Sequence, residues 1–255
     1  MSGEIYMAAA AALAYEKRLE VTADNLANLQ TAGFKRQAVS FRAYALDAEN
    51  NAREVFPPYP AVSDGSRFWV AYEARVDPAA GPLKQTGNPL DLALNGPGFF
   101  TVESPAGIRY TRRGNFTLNA DGVLVTQEGW SVQGEGGEIR LEGGRAAGGR
   151  AMISVGRDGT VRVDDRDVGR LRIEDIPASA LARAGNGYFL PPPAGALPLE
   201  AVDVAQGFLE MSNVDAVRGM VEMIEILRGY ESYQRLMRAV DEMNAKSVNE
   251  LGRSA

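Results

Sequence analysis

Apolar side chains at alternating steps of three and four run through both ends of this 255-residue chain, and that pattern narrows the possible folds more than any other feature. Near the start, Ile5, Ala8, Ala12, Tyr15, Leu19, Thr22, Leu26 and Leu29 form a seven-residue repeat. Such a repeat places one stripe of a helix against another helix. Near the end, Met223, Ile226, Tyr230, Tyr233, Met237, Val240, Asn244 and Leu251 follow the same alternation, with Met220, Ile224 and Leu227 widening the stripe. From residue 213 to 251 the pattern exceeds ~25 residues, the length beyond which a coiled coil is the better reading. A two-helix hairpin leaves much of so wide a stripe uncovered, so further surface must come from the rest of the chain or from other subunits. The terminal position favours subunits. Helices at both ends can project together from a central domain, and a head-to-tail contact that does not close gives a helical filament.

The ends of these helices carry their own signals. Ser2 can cap the first, and Gly33 can stop it as the left-handed residue of a Schellman motif, which would bring Leu29 against Phe34. Residues 212–215, Ser212-Asn213-Val214-Asp215, fit a capping box that starts the second helix, and Gly252 would stop it. Asn25, Asn28 and Asn244 lie in or beside the seams, where a buried amide fixes register. For Asn28 a role in satisfying backbone at the helix end stands equally with that one. Lys35-Arg36 answers the negative end of the first helix dipole.

Between the helices the period changes. From about residue 89 to 190 glycines punctuate short segments such as "LDLAL", "GFFTVE", "VLVT" and "TVRV", and Asp121-Gly122 and Asp158-Gly159 fall between segments as hairpin turns do. The reading is an antiparallel domain of roughly 8–12 short strands. "PPPAGALP" forms a stiff linker back to the last helix, and "FPPYP" makes residues 37–80 an extended connection with one or two strands. The expected fold class is therefore α+β, with the terminal heptad helices pairing as a coiled-coil domain and a central antiparallel all-β domain between them in sequence. The divisions are 1–36 (first helix), 37–80 (linker), 81–206 (β domain) and 207–255 (second helix).

Composition excludes several functions. With no Cys and no His, the chain lacks thiolate chemistry, the usual zinc ligand and every Ser-His or Cys-His nucleophile. A net charge of -6 with cations scattered among the acids gives no basic face for a phosphate backbone. The apolar run at residues 7–14 is mostly alanine, follows no cationic residue and is far short of a membrane span, so neither a cleaved signal peptide nor a transmembrane helix is expected. Asp164, Asp165 and Asp167 do not match an EF-hand spacing and read as a solvated loop. The glycine-rich residues 134–150 lack phosphate-loop patterns and read as turns. No catalytic, cofactor-binding or metal-binding residue is assigned. A carboxylate pair distant in sequence stays open, so a secreted carboxylate-based enzyme or carbohydrate-binding β domain on a coiled-coil stalk is the competing reading.

Three motifs in order carry a resemblance. "TADNLANLQTAGFKR", residues 22–36, is similar to the amino-terminal signature of the bacterial flagellar rod and hook proteins. "TGNPLDLALNGPGFFTVE", residues 86–103, with "YTRRGNFTLNADGVLVTQEG" after it, resembles the motif that opens their β domain. Residues 207–253, with S-N-V-D and R-x-Y-E, resemble their carboxy-terminal signature, although Arg228-Gly229 departs from the usual alanine before the tyrosine. The resemblance implies a non-enzymatic rod subunit of the basal body, spanning the periplasm and exported through the flagellar type III apparatus without a cleaved signal. Its partners would be copies of itself and other rod proteins, with no cofactor, nucleic acid, membrane insertion or small-molecule substrate. A short chain with one β domain points away from the hook protein, while "GPLKQTGNPLDLAL", the "GEGGEI" stretch and the modest extended segment at residues 37–80 resemble a proximal-rod member, with a distal-rod member as the alternative. The expected interface residues are Ile5, Tyr15, Leu19, Leu26, Leu29, Met223, Ile226, Tyr230, Tyr233, Met237, Val240 and Leu251. The expected junction or register residues are Asn25, Asn28, Gly33, Phe34 and Asn213.

Overall fold

The computed structural model describes residues 2–46, 52–55, 67–141, 152–164, 166–199 and 201–253. The chain is α+β and divides into two units. Unit 1 takes residues up to 26, residues 37–75 and the chain from 215 onward; unit 2 takes residues 27–36 and 76–214. No helix among the described residues is long and apolar enough to cross a membrane.

Unit 1 contains α1 (Ser2–Ala27), β1 (Gln37–Leu46), β2 (Ala52–Val55), β3 (Arg67–Val76) and α2 (Ala216–Arg253). The strands form a sheet in the order β2-β1-β3, more structure than the one or two strands expected of that stretch. "FPPYP" itself lies outside the described residues. Along β1 the half-buried Gln37, Val39 and Phe41 alternate with the exposed Ala38, Ser40 and Arg42, the two-residue period of a strand with one covered face. Arg18 of α1 and Glu222 of α2 approach to 3.6 Å, and the Lys17 ammonium lies 5.7 Å from the Tyr72 ring centroid.

Three expected helix ends are corrected. α1 stops at Ala27, because Asn28 and Thr31 begin a run of turns in which the Thr31 hydroxyl donates to the Asn28 amide oxygen at 3.1 Å. Gly33 is left-handed, φ 66°, but its N–H donates to the Glu210 carbonyl at 2.7 Å instead of closing a Schellman motif on α1. The cap of α2 is Asp215, whose Oδ1 accepts the Arg218 N–H at 3.0 Å. Ser212 only accepts the Val214 N–H two residues on, so no capping box forms. The helix also continues through Gly252 to Arg253.

Unit 2 holds β4 (Leu83–Gln85), β5 (Leu92–Leu94), β6 (Phe99–Ser104), β7 (Gly107–Thr111), β8 (Thr117–Leu118), β9 (Leu124–Val125), β10 (Ser131–Gly134), β11 (Gly137–Glu138), β12 (Ile153–Val155) and β13 (Thr160–Val163). It continues with β14 (Arg166–Arg170), β15 (Ile173–Asp175), β16 (Arg183–Gly185), β17 (Tyr188–Phe189), β18 (Leu197–Pro198), β19 (Val204–Gln206) and β20 (Phe208–Glu210). The largest sheet runs β16-β17-β7-β6-β10-β9-β8, with β15 also on β6. Many strands are only two or three residues long, so more of them fit than the expected 8–12. Asp121-Gly122 turns β8 into β9 and Asp158-Gly159 turns β12 into β13, as expected. Both faces of β6 are buried: Phe100 meets Phe116 edge-on at 5.2 Å in the main core, while Phe99 meets Phe189 at 5.2 Å in a second cluster with Val76, Tyr110 and Ile176.

Candidate assembly junction

The chain passes between the units after residues 26, 36, 75 and 214, and within unit 2 the segments next to those crossings are bonded to one another. The Asp77 N–H donates to the Arg36 carbonyl at 2.8 Å, and the Met211 N–H to the Pro82 carbonyl at 2.9 Å. Asn213 joins all three segments. Its Oδ1 accepts the Arg36 N–H at 2.6 Å, while its Nδ2 donates to the carbonyls of Ala79 at 2.9 Å and Asp77 at 3.2 Å. β20 also pairs with β4 in an antiparallel ladder.

The centre of the junction is one carboxylate. Glu210 Oε1 accepts from Lys35 Nζ at 2.6 Å and from the Gly81 N–H at 2.9 Å, and Oε2 accepts from Arg112 Nη1 at 3.1 Å. All three side chains are buried. Lys35 donates further to the Ala79 carbonyl at 2.8 Å, and Arg112 Nη2 to the Gly96 carbonyl at 2.6 Å. Two cations therefore share one anion. Burial pushes the Lys35 ammonium and the Arg112 guanidinium below their usual pKa values, and the Glu210 charge offsets part of that shift. This carboxylate is buried and accepts three donors from separate chain segments, and so holds those segments together.

The neighbouring residues explain the rest of the first motif. A Cβ on Gly33 would stand 2.3 Å from the Arg112 carbonyl carbon and 2.4 Å from the Arg113 nitrogen, so only glycine fits against that peptide. Phe34 is buried under the Arg183 guanidinium, 4.6 Å from the ring centroid. The two basic pairs split: Lys35 and Arg112 turn inward, Arg36 meets Asp77 at 3.7 Å, and Arg113 meets Glu128 at 2.7 Å. Lys35 thus answers a buried carboxylate rather than the helix dipole. Tyr188 donates a hydrogen bond to Glu128, and its ring lies 4.4 Å from that of Trp130, tilted by 46°.

Gly33, Phe34 and Asn213 all lie at this junction. Asn25, in unit 1, clasps the start of β1: Nδ2 donates to the Gln37 carbonyl and Oδ1 accepts its N–H, both at 2.8 Å. Asn28 meets Thr31. Lys35, Arg112 and Glu210 were not foreseen as a site, and a charged residue inside each quoted motif was the available signal. On the helices Ile226 is 1% exposed, and Tyr15, Leu19, Leu26, Met223, Tyr230, Tyr233 and Met237 are half-buried, as is Leu29 in the turns after α1. The side chains of Ile5, Val240 and Leu251 lie outside those described. A second stripe of α2 is open to solvent: Val217 73%, Met220 56%, Ile224 50% and Leu227 41% exposed. Asp164 accepts the Met152 N–H and Asp167 pairs with Arg162; Asp165 is outside the described residues.

Residues 5–35, 93–163 and 205–251 match, in order, the family models described as flagella basal body rod protein, flagellar hook protein FlgE/F/G D1 domain, and flagellar basal body rod FlgEFG protein C-terminal. An amino-terminal helix, a β domain and a carboxy-terminal helix matched in that sequence define the rod and hook class of flagellar protein. Similar relatives include the flagellar basal-body rod protein FlgF of Rhizobium meliloti, 33% identical over 261 residues and 100% of both chains. That of Caulobacter vibrioides is 32% identical over 260 residues, 99% of each chain. The rod protein FlgG of Agrobacterium fabrum is 31% identical over 254 residues, 90% of this chain and 92% of its own. The chain belongs to the flagellar basal-body rod protein family, in its FlgF/FlgG group, and is a structural subunit of the rod.

Proposed function

We propose that the chain is a proximal-rod subunit that polymerises through α2 while α1 and α2 pair as a coiled coil within each subunit. The observation that carries this reading is the division of α2 into two apolar stripes. The inner one, with Ile226, Met223, Tyr230 and Tyr233, is covered or half-covered by the chain itself, whereas Val217, Met220, Ile224 and Leu227 stand in water. Apolar residues at this spacing gain by burial, at about 25 cal/mol per Å², only when a neighbour covers them. The subunit interface thus shifts from the inner stripe to the outer one. Such a polymer, built of keyed helices around an axis, would surround an export channel and transmit torque. The carboxylate cluster at Glu210 binds chain segments, so we assign no catalytic role and no cofactor. The proximal position rests on the full-length match to FlgF relatives, which the distal-rod alternative does not equal. Export without a cleaved leader and a periplasmic location come with the family resemblance. The test is sedimentation of the full chain: Ile224→Asp should abolish self-association at unchanged helix content, while Ile226→Asp should unfold unit 1. Undiminished association of Ile224→Asp would overturn the assignment of the interface, and absence of labelled protein from the rod of isolated basal bodies would overturn the location.

A further inference from the structure

Of the three glycines in α2, Gly219 and Gly229 each lie where α1 sends a large side chain. A Cβ on Gly229 would stand 2.6 Å from Cε1 of Tyr15 and 2.9 Å from its Cζ and hydroxyl oxygen. A Cβ on Gly219 would stand 2.8 Å from Cδ2 of Leu26. Cβ atoms do not approach other carbons that closely, so neither position accepts a side chain while Tyr15 and Leu26 stay in place. Glycine is the weakest ordinary helix former, and its presence at two positions of one long helix calls for a compensating gain.

The contacts share one direction. Tyr15 with Gly229, Arg18 with Glu222 and Leu26 with Gly219 descend α2 as they climb α1, so the pair is antiparallel. The two notches share one register, and the long Arg18–Glu222 pair reaches about one turn along it. Carried one turn further, that register brings Ala11 and Ala12 level with Tyr233. Large residues on α1 therefore meet bare backbone on α2, and small residues on α1 come level with a large one on α2. Sliding one helix by a turn would set Tyr15 against Ile226 or Tyr233, where no such space exists.

We infer that α1 and α2 select each other and their register by size complementarity, with Gly219 and Gly229 as the specificity-determining positions. An α1 slipped by one turn meets Ile226 or Tyr233 in place of a notch. The keyed register also keeps Met220, Ile224 and Leu227 on the outer side of α2. That consequence rests on the assembly reading above, whereas the pairing itself is a property of the free chain.

The test is thermal unfolding of the full-length chain followed at the helix band. Gly229→Ala should lower the midpoint when Tyr15 is present and raise it in a Tyr15→Ala background, because alanine favours the helix once the clash is gone. Gly219→Ala with and without Leu26→Ala is a second, independent cycle should Tyr15→Ala fold poorly. The chain has no cysteine, so Arg18→Cys with Glu222→Cys supplies the only two thiols. A short bis-maleimide should join them within one chain, fail to do so after Gly229→Ala, and succeed again when Tyr15→Ala is added. A raised midpoint for Gly229→Ala with Tyr15 present, or unchanged crosslinking, overturns the inference. A chain that passes but does not self-associate overturns the assembly reading alone.

Discussion

Glu210 balances two cations, Lys35 and Arg112, and the imbalance makes the two sides of the site respond differently to substitution. Glu210→Gln leaves two buried cations without an anion, a change of the kind that costs about 3–5 kcal/mol. Lys35→Met instead leaves one cation on one carboxylate that still accepts the Gly81 N–H, and should cost distinctly less. Urea midpoints of the two variants, read from Trp130 fluorescence in a Trp69→Phe background, check the ranking. Tyr110 gives a pH test. Burial, and then its hydrogen bond to Glu174, push the phenol from the ordinary 10.0 up to about 12. A folded pKa above the unfolded value means stability that is complete below about pH 10 and is lost as pH rises through about 12. Tyr110→Phe should flatten that part of the alkaline loss in denaturation midpoints taken across the window; an unchanged slope would remove Tyr110 as its source.

The corrected start of α2 gives the element-scale prediction. Asp215→Ala should cost about 1 kcal/mol of helix stability through the lost bond to the Arg218 N–H, while Ser212→Ala should leave helix content nearly unchanged. Circular dichroism on heating separates the two; equal losses would restore the capping box. The element scale also marks how far the sequence was legible. The heptad stripes and the two Asp-Gly turns are local signals, set by residues three or four apart or by one backbone conformation, and they could be read directly. The strand β1 was obscured because Ala38, Ala43 and Ala45 blur the alternation of Val39 and Phe41 in "QAVSFRAYAL". The end of α1 and the start of α2 were misplaced because other partners claim the groups the local motifs needed: Gly33 gives its N–H to Glu210, and Ser212 accepts the Val214 N–H while Asp215 takes the cap. The pair Lys35 and Glu210 joins residues 175 apart, a separation at which no spacing rule operates.

At the scale of the molecule the two units differ in how they are held. Unit 2 closes over two buried clusters, whereas the described part of unit 1 leaves Val217, Met220, Ile224 and Leu227 in solvent. Loss of helix signal should therefore precede loss of Trp130 fluorescence as denaturant rises, since multi-unit chains need not unfold in one step. Coincident transitions would mean that the units unfold together. Unit 2 is complete once residue 214 is available, but unit 1 is assembled from the beginning, the middle and the end of the chain. Delivered from its amino-terminus, whether by a ribosome or through a narrow conduit, the chain presents α1 for most of its passage without the helix that completes its unit. The order of delivery thus acts as a clock, and α2, with its solvent-exposed apolar stripe, appears only after everything else has arrived.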